Sequence, residues 1–205
     1  MTSRTSLPGA YFDAMYAGSA DPWGFRDRWY ESRKRAVTMA ALPAQRYARA
    51  FEPGCSVGVL TVELAGRCDA VLACDPSLAA VDAAAAAVAD RAHVEVRQGS
   101  VPGDWPDGTF DLVVLSEVAY YLAPADLTGL VERCVAALDP GGTLLACHWR
   151  HEVEDYPVTG DQVHAALAER RELHRLVRHV EEDFVLDVWS NGLTPSVARR
   201  EGLVG

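Results

Sequence analysis

At 205 residues and 49% hydrophobic composition, the chain is long enough to bury a full core, and no linker-like stretch divides it. A formal charge of −10 opposes a nucleic-acid partner, whose affinity would need clustered Lys and Arg to displace counterions. No run reaches the roughly 18 apolar residues of a membrane span, and the opening MTSRTSLPGAYF has no apolar signal core, so a soluble, cytoplasmic protein without a membrane partner is predicted.

Residues 1–9 read as loose and 1–42 as a helical cap, in which 10–42 form one or two helices broken at DPWGF, because Pro and Gly do not continue a helix. The run RDRWYESRKR (26–35) interleaves acidic and basic residues at helical spacing, which predicts a solvated face. After LP at 42–43 the pattern changes to alternating strand and helix. Strands are expected near 48–53, 70–75, 93–97, 110–116 and 142–148, and helices near 58–66, 78–91, 124–138 and 161–170. LDPGG (138–142) supplies a helix stop and a turn into the fifth strand. RELHRLVRHV and EDFVLDVWS read as two closing strands joined by an acidic turn. FDLVVLS is almost wholly apolar, as a parallel strand covered on both faces must be. A single α/β domain follows, with a helical cap (1–42) on a doubly wound, mostly parallel sheet (43–205) and an antiparallel pair at its end. The five cysteines lie singly in apolar patterns, without C-x-x-C spacing, and read as buried reduced thiols.

FEPGCSVGVLTVELA (51–65) carries the first chemical signal. Gly54-Cys55-Ser56-Val57-Gly58 matches the G-x-S-x-G turn that exposes a nucleophilic serine, but only one strand precedes it and no HGGG-type segment lies upstream. A dinucleotide loop needs a third glycine where Val59 stands, and Glu52 just before the loop opposes a pyrophosphate. The remaining pattern, Glu52-Pro53-Gly54-Cys55-Ser56-Val57-Gly58, suits S-adenosylmethionine, which has no phosphate and carries a sulfonium and an ammonium. Asp75 ends the second strand 75 − 54 = 21 residues past Gly54, the distance at which a carboxylate at the next strand tip accepts ribose hydroxyls.

With DPWGF…WYESRKR, FEPGCSVGVLTVELAGRCD, SEVAYYL and ACHWRH…DYPVTGDQVH, the sequence resembles class I S-adenosylmethionine-dependent methyltransferases, and more narrowly the nodulation protein S type (NodS-like) N-methyltransferases, over residues 11–190. The resemblance implies a seven-stranded Rossmann-like sheet, S-adenosylmethionine as methyl donor, and a small amine-bearing acceptor, a deacetylated aminosugar oligomer in the namesake members. Cofactor contacts are then expected from Glu52, Gly54, Cys55, Ser56, Gly58 and Asp75. Pro76 and Ser77 follow at the next helix start, and Ser100 and Val101 in the loop after strand three. Trp23 and Tyr30 would close over the methionine side, and Arg33 is a candidate for the cofactor carboxylate. Glu117 and His148 end strands four and five, where either could hold the acceptor or accept its proton. Tyr120 and Tyr121, adjacent and so pointing apart, and Trp149 are expected at the acceptor pocket. No metal-ligand spacing links His151, His164, His174 and His179. Hydroxyl or non-sugar amine acceptors, and a non-catalytic binding protein, are the alternatives.

Overall fold

The computed structural model describes residues 5–204. Its first two helices, α1 (Gly9–Gly18) and α2 (Trp29–Ala41), flank the DPWGF break. Then come β1 (Tyr47–Pro53), α3 (Val59–Ala65), β2 (Cys68–Asp75), α4 (Leu78–Ala87), β3 (Val94–Gln98), β4 (Phe110–Ser116), α5 (Pro124–Ala137) and β5 (Leu138–Trp149). The chain closes with α6 (Gly160–Ala168), β6 (Leu173–Val180), β7 (Phe184–Asn191) and α7 (Val197–Arg200).

The seven strands form one sheet in the order β3-β2-β1-β4-β5-β7-β6, parallel through β5 and antiparallel where β7 meets β5 and β6. Successive strand residues face opposite sides of a sheet, and the core divides accordingly. Phe51, Val113, Leu115, Leu144 and Ala146 join an apolar cluster with α5 and α6, while Ala50, Leu112, Val114, Leu145 and Cys147 join another with α3. The chain leaves β1 toward β2 on one side and returns at β4 on the other. Such a reversal opens a crevice at the carboxyl ends of the strands, where α/β sheets bind ligands.

Four local features depart from the sequence reading. β5 begins at Leu138, so LDPGG belongs to the strand; Gly141 (φ 78°) bends it, and the β4 pairing shifts register between Phe110 and Leu112. Helix α4 stops at Ala87 rather than 91. The 3₁₀ turn Ala119–Tyr121 and short α7 have no apolar periodicity to announce them; α7 is capped by the Ser196 hydroxyl accepting from Arg199 N–H. Of the segment expected to be loose, residues 1–4 lie outside the described residues, and the rest is tied down. Leu7 N–H donates to Tyr121 O at 2.9 Å, and Ala123 N–H donates to Ser6 Oγ at 2.8 Å.

Gly58 shows what the loop requires. At φ 78° it sits in the left-handed region, and a Cβ there would lie 2.8 Å from Ala84 Cα in α4. Strained backbone and a contact against another backbone both oppose any side chain. We expect Gly58→Ala to cost about 2–4 kcal/mol and lower Tm by roughly 5–10 °C; an unchanged melting curve would show that α3 and α4 can part without penalty.

Candidate active site

A cleft with about 1030 Å³ of free space, its open mouth included, lies over the carboxyl ends of β1, β2 and β4 and under the N-terminal helices. Glu52, Gly54, Cys55, Ser56, Asp75, Pro76, Ser100, Val101, Trp23, Glu117 and Tyr121 line it, as do Glu31 and Lys34 from α2. Gly58, Ser77, Tyr30, Arg33, Tyr120, Trp149 and His148 do not.

The loop after β1 is held from β2. Gly54 and Cys55 N–H both donate to Cys74 O, at 2.7 and 3.0 Å. Asp75 accepts from Ser56 N–H through Oδ2 and from Ser77 N–H through Oδ1, each at 3.0 Å. Burial raises its carboxyl to about 6, against the downward pull of those two donors. Each oxygen accepts about two hydrogen bonds, so one position on each is left for two neighbouring hydroxyls. The Ser77 hydroxyl is buried without a partner and makes no capping bond to α4, although the residue stands at the N-cap. Glu52 is buried, its Oε2 has no hydrogen-bond partner, and burial pushes its carboxyl up to about 8. A cation arriving in the cleft would replace the proton held there.

Ser56 answers the hydrolase reading. Its hydroxyl bonds Tyr16 Oη at 2.6 Å, where a nucleophile would need a base such as histidine. The Cys55 thiol is driven well above its usual range by burial and the nearby acids, and all five cysteines are free and buried.

Glu117 follows β4, the strand beside β1, in left-handed backbone (φ 56°). Its Oε1 accepts from Lys34 Nζ at 2.8 Å, and its Oε2 accepts from the Tyr120 hydroxyl and from Trp149 N–H at 3.1 Å. Three donors orient this carboxylate and one acceptor position on Oε1 remains. Lys34 also reaches Glu31, at 3.0 and 3.2 Å. The sequence predicted a solvated face for 26–35; instead Glu31, Lys34 and Thr38, spaced three and four residues apart, turn one face of α2 inward.

His148 is fully buried. Its Nε2 accepts from Ala119 N–H at 3.3 Å, and its Nδ1 faces His164 Nε2 at 3.1 Å. His164 Nδ1 in turn pairs with Asp187 at 2.7 Å, and Arg175 completes the chain at 3.1 Å. Burial, then His164 and Lys34, lower the His148 pKa well below the usual range, so a neutral ring whose nitrogens are both engaged fastens the 3₁₀ turn to β5. Arg33 forms a two-pronged pair with Glu181 at 2.7 and 2.8 Å, away from the cleft. Tyr30 and Trp149 pack edge to face at 5.7 Å. Trp149 reaches the site through its backbone N–H, and Tyr30 through its ring, 5.1 Å from Lys34 Nζ. Of the adjacent tyrosines, Tyr121 lines the cleft, whereas Tyr120 stacks on Tyr156 and holds Glu117. Among the described residues, no cluster of His, Cys, Asp or Glu could hold a metal ion, and no helix is long and apolar enough to cross a membrane.

Comparison with known proteins bears on the family and the fold. Residues 51–146 match the Methyltransferase domain family. A crystal structure from Pseudomonas syringae, provisionally described as a methyltransferase, is 52% identical, with 80% of this chain and 99% of that one covered and a TM-score of 0.71. Nodulation protein S of Rhizobium tropici is 30% identical over 127 residues, 61% of this chain, which spans only about half (53%) of that protein. The N-methyltransferase NodS of Bradyrhizobium japonicum WM9, solved with S-adenosyl-L-homocysteine, shares the fold at a TM-score of 0.81 and 22% identity, with 90% of this chain and 99% of that one covered.

Proposed function

We propose that this chain, which belongs to the methyltransferases, is a NodS-like class I S-adenosylmethionine-dependent enzyme that methylates the amine of a small acceptor, of the deacetylated aminosugar or glycoside class. The observation that carries the amine is Glu117, an oriented cleft carboxylate with one open acceptor position inside a group of three charges that sums to −1.

The residues present fit the cofactor. The orphaned Glu52 Oε2 suits the ammonium of its methionine end, and the two open positions on Asp75 suit the ribose hydroxyls. Pro76, Ser100 and Val101 border the cleft beyond Asp75 and would flank the base, while Gly54, Cys55 and Ser56 offer bare backbone beneath it. Once bound, the sulfonium supplies an electrophilic methyl carbon, which the acceptor nitrogen takes as the thioether leaves with the bonding electrons. What this chain must then supply is placement and a lone pair. A nucleophile held about 3–3.5 Å from its target gains most of its rate from orientation alone. An amine arrives largely protonated at neutral pH; Glu117 Oε1 binds that ammonium and removes a proton, directly or through water. His148 lacks a free nitrogen for the task.

The test is a panel of aminosugars, simple amines and their hydroxyl counterparts with radiolabelled S-adenosylmethionine. Label is expected in glucosamine-type acceptors and absent from glucose; label only in hydroxyl acceptors would overturn the amine reading.

A further inference from the structure

The chain holds one lysine, Lys34, against eighteen arginines. That residue is also among the most buried charges in the fold, with 4% of its surface exposed. Its Nζ meets Glu117 Oε1 at 2.8 Å, Glu31 at 3.0 Å and the face of Tyr30 at 5.1 Å from the ring centre, three partners for three N–H bonds. A compact ammonium satisfies that arrangement; the flat guanidinium used everywhere else in this chain would not. Glu31, Lys34 and Glu117 all line the cleft, so the ammonium forms part of the wall that an acceptor meets.

Two carboxylates facing one cleft repel each other, and one would take up a proton if no cation stood between them. Burial raises the Glu31 carboxyl against the downward pull of Lys34, and the three formal charges sum to −1. Resting on the amine reading above, we propose that Lys34 is a positioning and specificity-determining residue. It cancels the charge of one carboxylate and fixes Glu117 Oε1, leaving a subsite for a single ammonium group and not for a diamine. The other groups facing this unit are Tyr30 and Arg35 on α2, Tyr120 and Tyr121 on the 3₁₀ turn, Cys147, His148 and Trp149 N–H on β5, and Tyr156 beyond it. Arg35 is committed to Glu63 and to Phe25 O, so Lys34 is the cation that reaches Glu117.

Lys34→Met, Lys34→Arg and the double variant Glu31→Gln/Lys34→Met, all full-length, provide the test, with glucosamine as the acceptor probe. Without the ammonium, the two carboxylates are left facing each other with no cation between them. In Lys34→Met the acid limb of the kcat/KM profile is therefore expected to move up by about one pH unit or more, with kcat reduced at least tenfold near neutrality. Lys34→Arg should not restore it. The double variant returns the site to a charge of −1 and should bring the limb back and recover at least threefold of the lost rate. The dication 1,4-diaminobutane should bind Lys34→Met at least tenfold better than wild type. A merely structural lysine would lower the rate evenly across pH, with no rescue by the double variant, and that result overturns the proposal.

A second readout needs no turnover. Because the chain has one lysine, ¹⁵Nζ-lysine labelling gives one side-chain signal, expected to shift in both Glu117→Gln and Glu31→Gln. If that signal responds while wild type methylates no amine, the amine reading falls and the charge arrangement stands. If neither variant moves it, the arrangement itself is refuted, whatever the activity.

Discussion

In Asp75→Ala, S-adenosyl-L-homocysteine should bind about 10- to 150-fold more weakly, a loss of roughly 1.5–3 kcal/mol, measured by calorimetry. The carboxylate already accepts Ser56 and Ser77 N–H, one on each oxygen, and the two remaining positions match two adjacent ribose hydroxyls. Removing it strands those hydroxyls and also frees two N–H groups of the loop. The melting curve of the ligand-free variant is therefore needed beside the affinity. The pH dependence follows from the raised pKa of about 6. Wild-type affinity should be steady above that value and decline as pH falls through it, because a protonated carboxyl is the weaker acceptor. The ligand-free fold responds in the opposite sense. The folded pKa lies above the unfolded one, so the buried charge is a cost at neutral pH that is relieved as pH falls from about 6 toward the unfolded value near 3.8. Affinity and stability should thus move in opposite directions over that window in wild type, and Asp75→Ala should lose both slopes. Wild-type affinity in the variant above about pH 6 would remove Asp75 from the ribose position.

Why Asp75 was legible in the sequence and Lys34 was not is a matter of locality. The spacing from Gly54 to Asp75 is set within one β-α-β unit: a strand, a loop, a short helix and the next strand leave little freedom in where the second carboxylate emerges. The buried runs in the later part of β1 and through β4 and β5 likewise report the sheet, because a central strand covered on both faces reads as nearly continuous apolar sequence bounded by turns. The seven strands could be located to within a few residues for that reason. Lys34 depends on a pairing across 83 residues, between a helix outside the glycine-loop unit and the tip of β4. Mixed charges at helical spacing in 26–35 give the same local pattern whether they face water or two carboxylates, and the commoner outcome was expected. The signal present was compositional: a single lysine in a chain of arginines marks a position where a point charge is needed.

His148 illustrates the converse. A histidine at the end of a central strand suggests a base, and its place in β5 agrees with that position. What no strand pattern contains is the neighbouring ring: His164 comes from α6, Asp187 from β7 and Arg175 from β6, and together they use His148 as a structural tie for the 3₁₀ turn. Arg33 is similar, since Glu181 in the turn after β6 engages both its terminal nitrogens. In both cases the side chain's chemistry was readable and its partner was not, because the partner arrives from another layer of the fold.

Glu117→Gln is expected to lower kcat/KM for an amine acceptor by roughly 10²-fold or more, the scale of a positioned acid–base group. The substitution preserves shape and leaves the folding demands nearly unchanged: glutamine faces the same left-handed backbone at φ 56°, its amide oxygen can still accept from Tyr120 or Trp149 N–H, and Lys34 retains Glu31. What disappears is the charge and the lone pair that could take a proton from the acceptor. An acceptor that arrives as an ammonium then has no group to receive its proton, and reaction is confined to the fraction that is already neutral. That fraction grows with pH, so the variant's rate should climb toward wild type as the amine's own pKa is approached, a slope wild type should not share in the same range. Cofactor affinity should hold, since none of the hydrogen bonds that hold Asp75 and the glycine loop involves Glu117. Equal kcat/KM for variant and wild type from about pH 6 to 9 would exclude Glu117 from proton transfer; with both His148 nitrogens engaged, ordered water would then have to carry the proton. A large loss of cofactor affinity would instead place Glu117 against the methionine end, and the three donors that hold it would be orienting a cofactor ligand.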